Sequence, residues 1–309
     1  MIDYTNPKYP IYILSKGRAD SRLTSKTLEE LNCPYKIVIE DSEYDDYAAV
    51  IDPKKIIVLP TDFRSNPKYA LKDSGGRVGG SIPVRNFIWE HSIKEGHKRH
   101  WILDDNIRHF YRLNRNTKMR FGDASCFRFC EEFTDRFENV KMSGMNYAYF
   151  APAGDAKTAY YLNTRVYSCI LLSNDIEHRW RGKYNEDTDL SIRILKEDWC
   201  TILFNAFLCG KMATHTMKGG NTTEVYKLGE QDFDNRYEFA KSLYEQHPDI
   251  VKVTQKWGRW HHHVDYTVFK KNALKLRKDY DYKLGVNNYG LKLIQNPFQS
   301  KGEVDDSDE

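Results

Sequence analysis

The segment Trp101-Ile102-Leu103-Asp104-Asp105-Asn106 is an apolar run that ends abruptly in two carboxylates and an amide. This pattern predicts a buried strand with acids at its C-terminal end, which is where ligands bind in an open α/β sheet. Because like charges this close repel each other, two adjacent acids must hold a cation or take up a proton. One hypothesis is a metal that also binds a diphosphate, and the other is a solvated turn, because Asp and Asn favour turns. These residues alone favour the turn, so the surrounding sequence has to decide.

Upstream of this segment, strand and helix patterns alternate. Apolar runs rich in β-branched and aromatic residues at 9–14, 35–39 and 55–59 predict strands. Leu23, Leu28 and Leu31 share one face of a helix after the first strand, and a shorter helix is predicted at 44–51. Strands that alternate with helices indicate a parallel sheet with right-handed crossovers.

Downstream, the sequence becomes richer in strands. An amphipathic helix is predicted at 127–137, and a second one at 190–196 that Asp187 can cap. The predicted strands of this half lie at 147–150, 165–172 and 201–207. The fold class that follows is α/β, a Rossmann-like mixed sheet flanked by helices.

A glycine-rich loop precedes the acidic strand. It reads Gly75-Gly76-Arg77-Val78-Gly79-Gly80, and Ser81 and Pro83 then suit the start of a helix. The loop lacks the P-loop pattern and follows no strand directly, so we expect it to fold over a ligand rather than to form a rigid phosphate cradle. Arg85 and Asn86, one turn into the helix, can reach a diphosphate or a sugar, or can belong to a solvated helix face.

Composition narrows the class of protein. The 309 residues are 40% hydrophobic and 14% aromatic, which is ordinary for a globular protein. The net charge of +3, from 47 basic and 44 acidic residues, is too balanced to indicate a nucleic-acid binder, so any basic surface must be local. The six cysteines form no CxxC pair and predict buried thiols. No leader or membrane-spanning run is evident, so we expect a soluble protein of the cytoplasm.

Acids and one histidine recur in a fixed order along the chain. Asp104 and Asp105 come first, Glu186-Asp187 follow, and His215 closes the series. The order resembles that of metal-dependent glycosyltransferases of the GT-A fold. More specifically, three segments resemble the bacteriophage TET-associated glycosyltransferases: Tyr12-Ile13-Leu14-Ser15-Lys16-Gly17-Arg18, the Leu-Asp-Asp-Asn strand end, and the Asn-Glu-Asp-Thr-Asp-Leu segment. The resemblance implies a nucleotide-sugar donor and a DNA acceptor with hydroxymethylated pyrimidines.

The resemblance also implies a role for each motif residue. Asp105 and His215 would bind the metal, for which an oxygen-rich site with one imidazole suggests Mn²⁺ or Mg²⁺. Asp187 would be the base and Glu186 would orient the acceptor. The first acidic motif departs from Asp-x-Asp, because an amide stands at its third place. The residues expected to contact the nucleotide sugar are Ser15, Lys16 and Arg18 at the nucleotide, Glu40 or Asp41 at the uracil, Asp104 at ribose or sugar hydroxyls, Asn106 beside it, and Arg85.

The chemistry of sugar transfer requires these residue types. As the sugar leaves, negative charge builds on the diphosphate, and a divalent cation stabilises it. A hydroxymethyl group is a weak nucleophile, so a carboxylate must accept its proton as it attacks the anomeric carbon. A single displacement inverts the anomeric configuration, and the sequence leaves retention open.

The C-terminal region has a different composition. Residues 252–283 carry nine basic side chains against three aspartates, with Trp257, Trp260, Tyr266 and Phe269 interleaved. Basic and aromatic side chains bind phosphates and unpaired bases, so this is a candidate DNA-facing segment, unless its aromatics pack on the core. The predicted organisation is a catalytic domain at 1–225, with a nucleotide-sugar half to about 110 and an acceptor half beyond it, then a helical basic and aromatic extension at 226–300 and an acidic disordered tail at 301–309.

The function that these observations favour is transfer of a sugar from UDP-glucose or UDP-N-acetylglucosamine to 5-hydroxymethylcytosine in DNA, with no obligate protein partner. Alternatives are a glycosyltransferase for a small molecule or cell-envelope glycan, a metal-dependent nuclease or phosphohydrolase, and a non-catalytic nucleic-acid-binding protein. Only a glycosyltransferase consumes a nucleotide sugar, and only a DNA-directed one depends on basic residues at 252–283.

Overall fold

A large mixed sheet organises the chain, and the computed structural model describes residues 5–64, 80–114, 117–151, 158–182, 184–212 and 236–280. The sheet has ten strands. In chain order they are β1 (Ile11–Leu14), β2 (Lys36–Ile39), β3 (Ile56–Val58), β4 (Arg99–Asp104), β5 (Ile107–Asn114), β6 (Thr117–Arg120), β7 (Val140–Tyr147), β8 (Tyr160–Leu162), β9 (Cys169–Ser173) and β10 (Cys200–Lys211). Their spatial order is β3-β2-β1-β4-β9-β7-β10-β5-β6, with β8 also paired to β10.

The two halves of this sheet differ in strand direction. The strands β3, β2, β1 and β4 are parallel to one another. Beyond β4 the sheet is mixed, because β9 is antiparallel to β4 and β7, whereas β7 and β10 are parallel. The predicted α/β class, with a GT-A-like mixed sheet flanked by helices, is confirmed.

Helices cover both faces of the sheet, and the alternation of side chains in β4 explains why. Trp101 and Leu103 pack into one buried layer and Ile102 into the other, so a strand enclosed on both faces has an unbroken apolar sequence. The helices are α1 (Leu23–Glu30), α2 (Tyr44–Ala48), α3 (Thr61–Arg64), α4 (Ile82–Lys94), α5 (Ser125–Asp135), α6 (Glu186–Lys196) and α7 (Arg236–Gln246). Residues of α1 and α5 pack into the first layer, and residues of α4 and α6 into the second.

Two local predictions are wrong. Residues 147–150 are not a strand, because β7 ends at Tyr147 and Ala148–Phe150 form one 3₁₀ turn. Aromatic residues are common in strands, so the sequence favoured a strand here. Asp187 is not the N-cap of a helix at 190–196, because α6 begins at Glu186 and its N-cap is Asn185 in a left-handed conformation. The carboxylates in the first turn favour this earlier start, since they interact well with the positive helix N-terminus.

The described part of the extension is only partly helical, so the prediction for 226–300 needs correction. After α7, strands β11 (Val251–Lys256) and β12 (Arg259–Val264) form an antiparallel hairpin. Trp257 and Gly258 connect them with φ of 52° and 71°, as a tight two-residue hairpin turn requires. The charge and aromatic content of this segment suggested a helix, but its alternating Val-Lys-Val-Thr pattern suits a strand.

The C-terminal region from α7 onward, called the extension, packs against α6. Leu243 and Val251 form a buried cluster with Ile192 and Leu195 of that helix. All six cysteines are buried and unpaired, as expected. Within the described ranges, no helix combines the length and apolar character needed to cross a membrane. The acidic tail and most of the glycine-rich loop lie outside the described residues.

Candidate active site

The acidic turn after β4 is held rigidly at the sheet edge. Thr24, near the start of α1, donates its hydroxyl to the Asp104 carbonyl at 2.6 Å and accepts the Ile107 amide at 2.8 Å. The Met212 amide, just after β10, donates to the Asn106 carbonyl at 2.9 Å. The turn therefore joins the ends of β4, β5 and β10, and both carboxylates have fixed surroundings.

Asp104 is surrounded by donors from distant parts of the chain. Its carboxylate accepts hydrogen bonds from Lys211 Nζ at 2.7 Å, Ser168 Oγ at 2.7 Å and Arg85 Nη2 at 3.2 Å. Burial raises the pKa of this carboxyl, but Lys211 and Arg85 outweigh burial and lower the pKa to about 2. Asp104 is therefore ionised at neutral pH and fixes two cations beside the acidic turn.

Asp105 is held by side chains of the loop that follows β1. Arg18 Nη1 donates to one carboxylate oxygen, and Ser15 Oγ donates to the other at 2.8 Å. Ser15 also hydrogen-bonds the Tyr47 hydroxyl at 2.6 Å. Burial raises the pKa of Asp105, and the opposing effects of Arg18 and Ser15 are smaller.

The remaining residues predicted at the nucleotide line the same edge. Lys16 pairs with Glu40 at 3.0 Å, which joins the loops after β1 and β2. Asp41 is exposed at the start of a short 3₁₀ turn. The residues predicted to contact the nucleotide thus lie at the ends of neighbouring strands. Their contacts with a nucleotide stay a prediction.

Arg85 connects the acidic turn to α6. Its Nε lies 3.0 Å from Ser81 Oγ and 3.4 Å from Glu186 Oε1, and Ser81 Oγ donates to Glu186 at 2.6 Å. The buried Arg85 Nη1 has no hydrogen-bond acceptor in the described part of the chain. Asn106 Oδ1 is likewise buried without a donor there. Buried polar atoms are nearly always hydrogen-bonded, so each of these two atoms can take a further polar partner.

Glu186 and Asp187 face different neighbours. Glu186 contacts Ser81 and Arg85, and its predicted contact with an acceptor stays a prediction. Within the described ranges, Asp187 Oδ1 accepts bonds from Thr188 alone, from its amide at 2.7 Å and its hydroxyl at 3.2 Å. Burial lowers the pKa of Arg165, but Asp187 and nearby tyrosines raise it overall, so this guanidinium lies close enough to interact with the Asp187 charge.

Asp189, two positions further, has a structural role. It is 1% exposed and bonds His247 Nε2 at 2.9 Å, Arg193 Nε at 2.8 Å and Arg181 Nη2 at 2.9 Å. The opposing effect of burial is outweighed by these three groups, which lower the Asp189 pKa. Because His247 follows α7, the carboxylate ties the extension to α6 and leaves Asp187 as the more accessible acid of the pair.

The predicted metal ligands can be tested only in part. Asp105 fits a hard divalent cation chemically, because each oxygen accepts one hydrogen bond and a carboxylate offers about four lone pairs. His215 lies outside the described residues. Among the residues that are described, no three His, Cys, Asp or Glu side chains converge as metal ligands.

Sequence reasoning missed the groups that complete the acidic site. Lys211 and Ser168 contact Asp104, and Tyr47 and Ser81 orient other site residues. Lys211 ends β10 shortly before His215, so the same argument that selected Asp104 could have selected it. Ser168 stands just before a strand antiparallel to β4, which the sequence pattern did not reveal.

Comparison with known proteins bears on this arrangement. A family model described as TET-Associated Glycosyltransferase matches residues 9–220, which include the edge and most of the sheet. No curated protein matches the chain significantly.

Proposed function

The chain belongs to the TET-associated glycosyltransferase family and is a glycosyltransferase, and from this premise we propose that it transfers a sugar from a UDP-sugar to the hydroxymethyl group of a 5-hydroxymethylpyrimidine in DNA. The proposed acceptor is 5-hydroxymethylcytosine and the proposed donors are UDP-glucose and UDP-N-acetylglucosamine. The observation that carries the proposal is the cluster of Arg18, Arg85 and Lys211 around the acidic turn.

These three cations suit a diphosphate leaving group. Asp104 holds Arg85 and Lys211 in place, and Asp105 holds Arg18, so the cations are positioned before a donor arrives. Fixed positive groups stabilise the charge that develops on the leaving diphosphate without reorganisation. The unused Arg85 Nη1 is the group we assign to a phosphate oxygen.

A divalent metal, Mn²⁺ or Mg²⁺, held by Asp105 and His215, would supply further electrostatic stabilisation of the diphosphate. The Asp104 carboxylate accepts hydrogen bonds from sugar or ribose hydroxyls, and the Asn106 amide accepts or donates them. Ser15, Lys16, and Glu40 or Asp41 bind the nucleotide at the ends of β1 and β2.

Asp187 accepts the proton of the attacking hydroxyl. Its carboxylate stands at the start of α6, within electrostatic reach of the Arg165 guanidinium. One displacement at the anomeric carbon then inverts its configuration.

The donor site is tested by replacing Lys211 with Met and measuring UDP binding by titration calorimetry. Lys211→Met removes one charged contact to the diphosphate, so we expect the dissociation constant to rise roughly tenfold or more. Lys141→Met is the matched control, because Lys141 is also buried and paired to one aspartate, Asp175. Lys141 lies near the start of β7, whereas Lys211 contacts Tyr147 at the end of that strand. Equal UDP affinity in the two variants would contradict the assignment of Lys211.

A further inference from the structure

An aromatic cluster lies beside the acidic turn and has no role in the chemistry described above. It consists of Tyr147 at the end of β7, Tyr149 and Phe150 in the following 3₁₀ turn, and Tyr167 before β9. Tyr167 is buried, whereas Tyr149 is 56% and Phe150 45% exposed. Large aromatic side chains gain stability by burial, so two adjacent exposed ones at a sheet edge call for an explanation.

The exposed rings rest on a rigid base. Tyr149 stacks on Tyr147 with ring centres 5.1 Å apart and planes at 28°, and Phe150 meets Tyr149 at 4.3 Å. Tyr147 is fixed in turn, because it packs on Tyr167 at 4.4 Å and its hydroxyl contacts Ser168. The orientation of the exposed rings is therefore set before any ligand binds.

The cluster is continuous with the donor site. Lys211 Nζ lies 3.2 Å from the Tyr147 hydroxyl and 2.7 Å from Asp104. On the other side, the Arg165 guanidinium lies 5.1 Å from the ring centre of Tyr167 and interacts with Asp187. Burial raises the pKa of Tyr149, and Lys211 and Arg165 both oppose that shift, which means that Tyr149 lies within electrostatic reach of each cation.

We propose that Tyr149 and Phe150 form the stacking surface for the acceptor base, which enters the site out of the base stack. The proposal rests on the proposed DNA acceptor. The proposed donor site is recessed, with the Asp104 and Asp105 side chains only 19% and 8% exposed, so a base within a duplex has poor access to a sugar held there. Enzymes that act on bases solve this problem by extruding the target and stacking it on aromatic side chains.

Charge favours a nucleic-acid base over a neutral sugar ring at this surface. Arg165 flanks the rings on the Asp187 side, while Lys211 serves the donor diphosphate, and cations beside an aromatic surface are the usual combination for single-stranded nucleic acid. A pyranose ring also stacks on aromatics but brings no phosphates for the flanking charges to bind. The two occupants therefore differ in how strongly added salt weakens their binding.

The test compares wild type with Tyr149→Ala, Phe150→Ala and Tyr149→Trp, and uses Tyr244→Ala as the matched control. Tyr244 is 42% exposed on α7, and its ring contacts no other aromatic ring in the described part of the chain. The substrate is a hydroxymethylcytosine oligonucleotide with 2-aminopurine next to the modified base, whose fluorescence rises when its neighbour leaves the stack. We expect the rise in 2-aminopurine fluorescence in wild type, in Tyr149→Trp and in Tyr244→Ala. We expect Tyr149→Ala and Phe150→Ala to lose it.

The kinetic readout separates stacking from general damage. Loss of one stacked ring should raise the KM for DNA about tenfold or more while leaving UDP affinity unchanged, and thermal melts check that each variant is folded. Unchanged KM and fluorescence in both Tyr149→Ala and Phe150→Ala would overturn the stacking role. In that case, transfer to DNA by wild type would still support the proposed function. Two results would overturn both the stacking role and the proposed function. One is that wild type transfers no sugar to DNA, and the other is that Tyr149→Ala and Phe150→Ala lose only a salt-insensitive binding to a glycan.

Discussion

Asp187 and Asp189 lie in the same turn of α6 but have opposite surroundings. Asp189 is enclosed by His247, Arg181 and Arg193. Asp187 is partly accessible, and Thr188 is its hydrogen-bond partner in the described part of the chain. Their sequence spacing could not distinguish these roles, because two of the three partners of Asp189, Arg181 and His247, come from a loop and from the extension. The difference yields a test of the proposed base.

Asp187→Asn should lower the turnover number by roughly 10²–10⁴ and leave the affinity for UDP almost unchanged. The amide oxygen can still accept the Thr188 bonds, so the melting temperature should hardly move, but it cannot accept the hydroxymethyl proton. Asp189→Asn is the control, and we expect it to melt earlier because it weakens a buried charged network. Near-normal turnover of Asp187→Asn would assign the base to another carboxylate.

The lowered pKa of Asp104 leads to a second prediction, which concerns the stability of the protein in acid. Its pKa is about 2 in the folded protein and near 3.8 when unfolded, so the ionised form stabilises the fold above about pH 4. This contribution is lost as the pH falls from about 4 to about 2, and it amounts to roughly 2 kcal/mol. Urea unfolding of wild type and Asp104→Asn across that range should show a smaller acid-induced loss in the variant. Parallel curves would mean that Lys211 and Arg85 do not favour the ionised form.

At the scale of strands and helices, local pattern predicted the first half of the chain well. The apolar runs became β1 to β4 because each is enclosed on both faces or follows a clear loop signal. The second half was less predictable, since β7 and β9 pair with strands that are far away in sequence. A short 3₁₀ turn with exposed aromatics resembles a strand until its neighbours are known.

The hairpin of β11 and β12 carries an element-level prediction about DNA. Trp257 at its tip is 89% exposed, with Lys256 and Arg259 on either side of the turn, whereas Phe269 is buried. Each of the two alternatives for residues 252–283 therefore describes part of this segment. Trp257 is exposed and available to a ligand, whereas Phe269 packs in a buried cluster.

Replacing Lys256 and Arg259 by Gln should weaken DNA binding and reduce the slope of log affinity against log salt by roughly 1–2, because phosphate contacts release counterions. Fluorescence anisotropy at several salt concentrations measures this slope. Lys94 and Lys98 are exposed just before β4 begins, at the opposite end from the acidic turn, and their Gln variant serves as control. Matching slopes for the two double variants would remove the hairpin from the DNA surface.

For the whole molecule, the ordered series of acids and the motif resemblance were sufficient to predict the family and the fold class. They could not predict the cations that neutralise those acids, because Arg18, Arg85 and Lys211 reach Asp104 and Asp105 from three separate elements. They also gave no sign that the extension packs on α6, which brings His262 and Tyr266 into electrostatic reach of Asp187. Such contacts depend on tertiary packing rather than on local sequence.

The proposed function is decided by mass spectrometry of nucleosides from DNA incubated with the enzyme, Mn²⁺ or Mg²⁺, and either UDP-glucose or UDP-N-acetylglucosamine. We expect the hydroxymethylcytosine nucleoside to gain the mass of one sugar residue with at least one donor, and unmodified cytosine in the same DNA to stay unchanged. The gain should disappear with Asp187→Asn. An unchanged hydroxymethylpyrimidine with every donor, from a folded enzyme that binds UDP, would contradict a DNA acceptor.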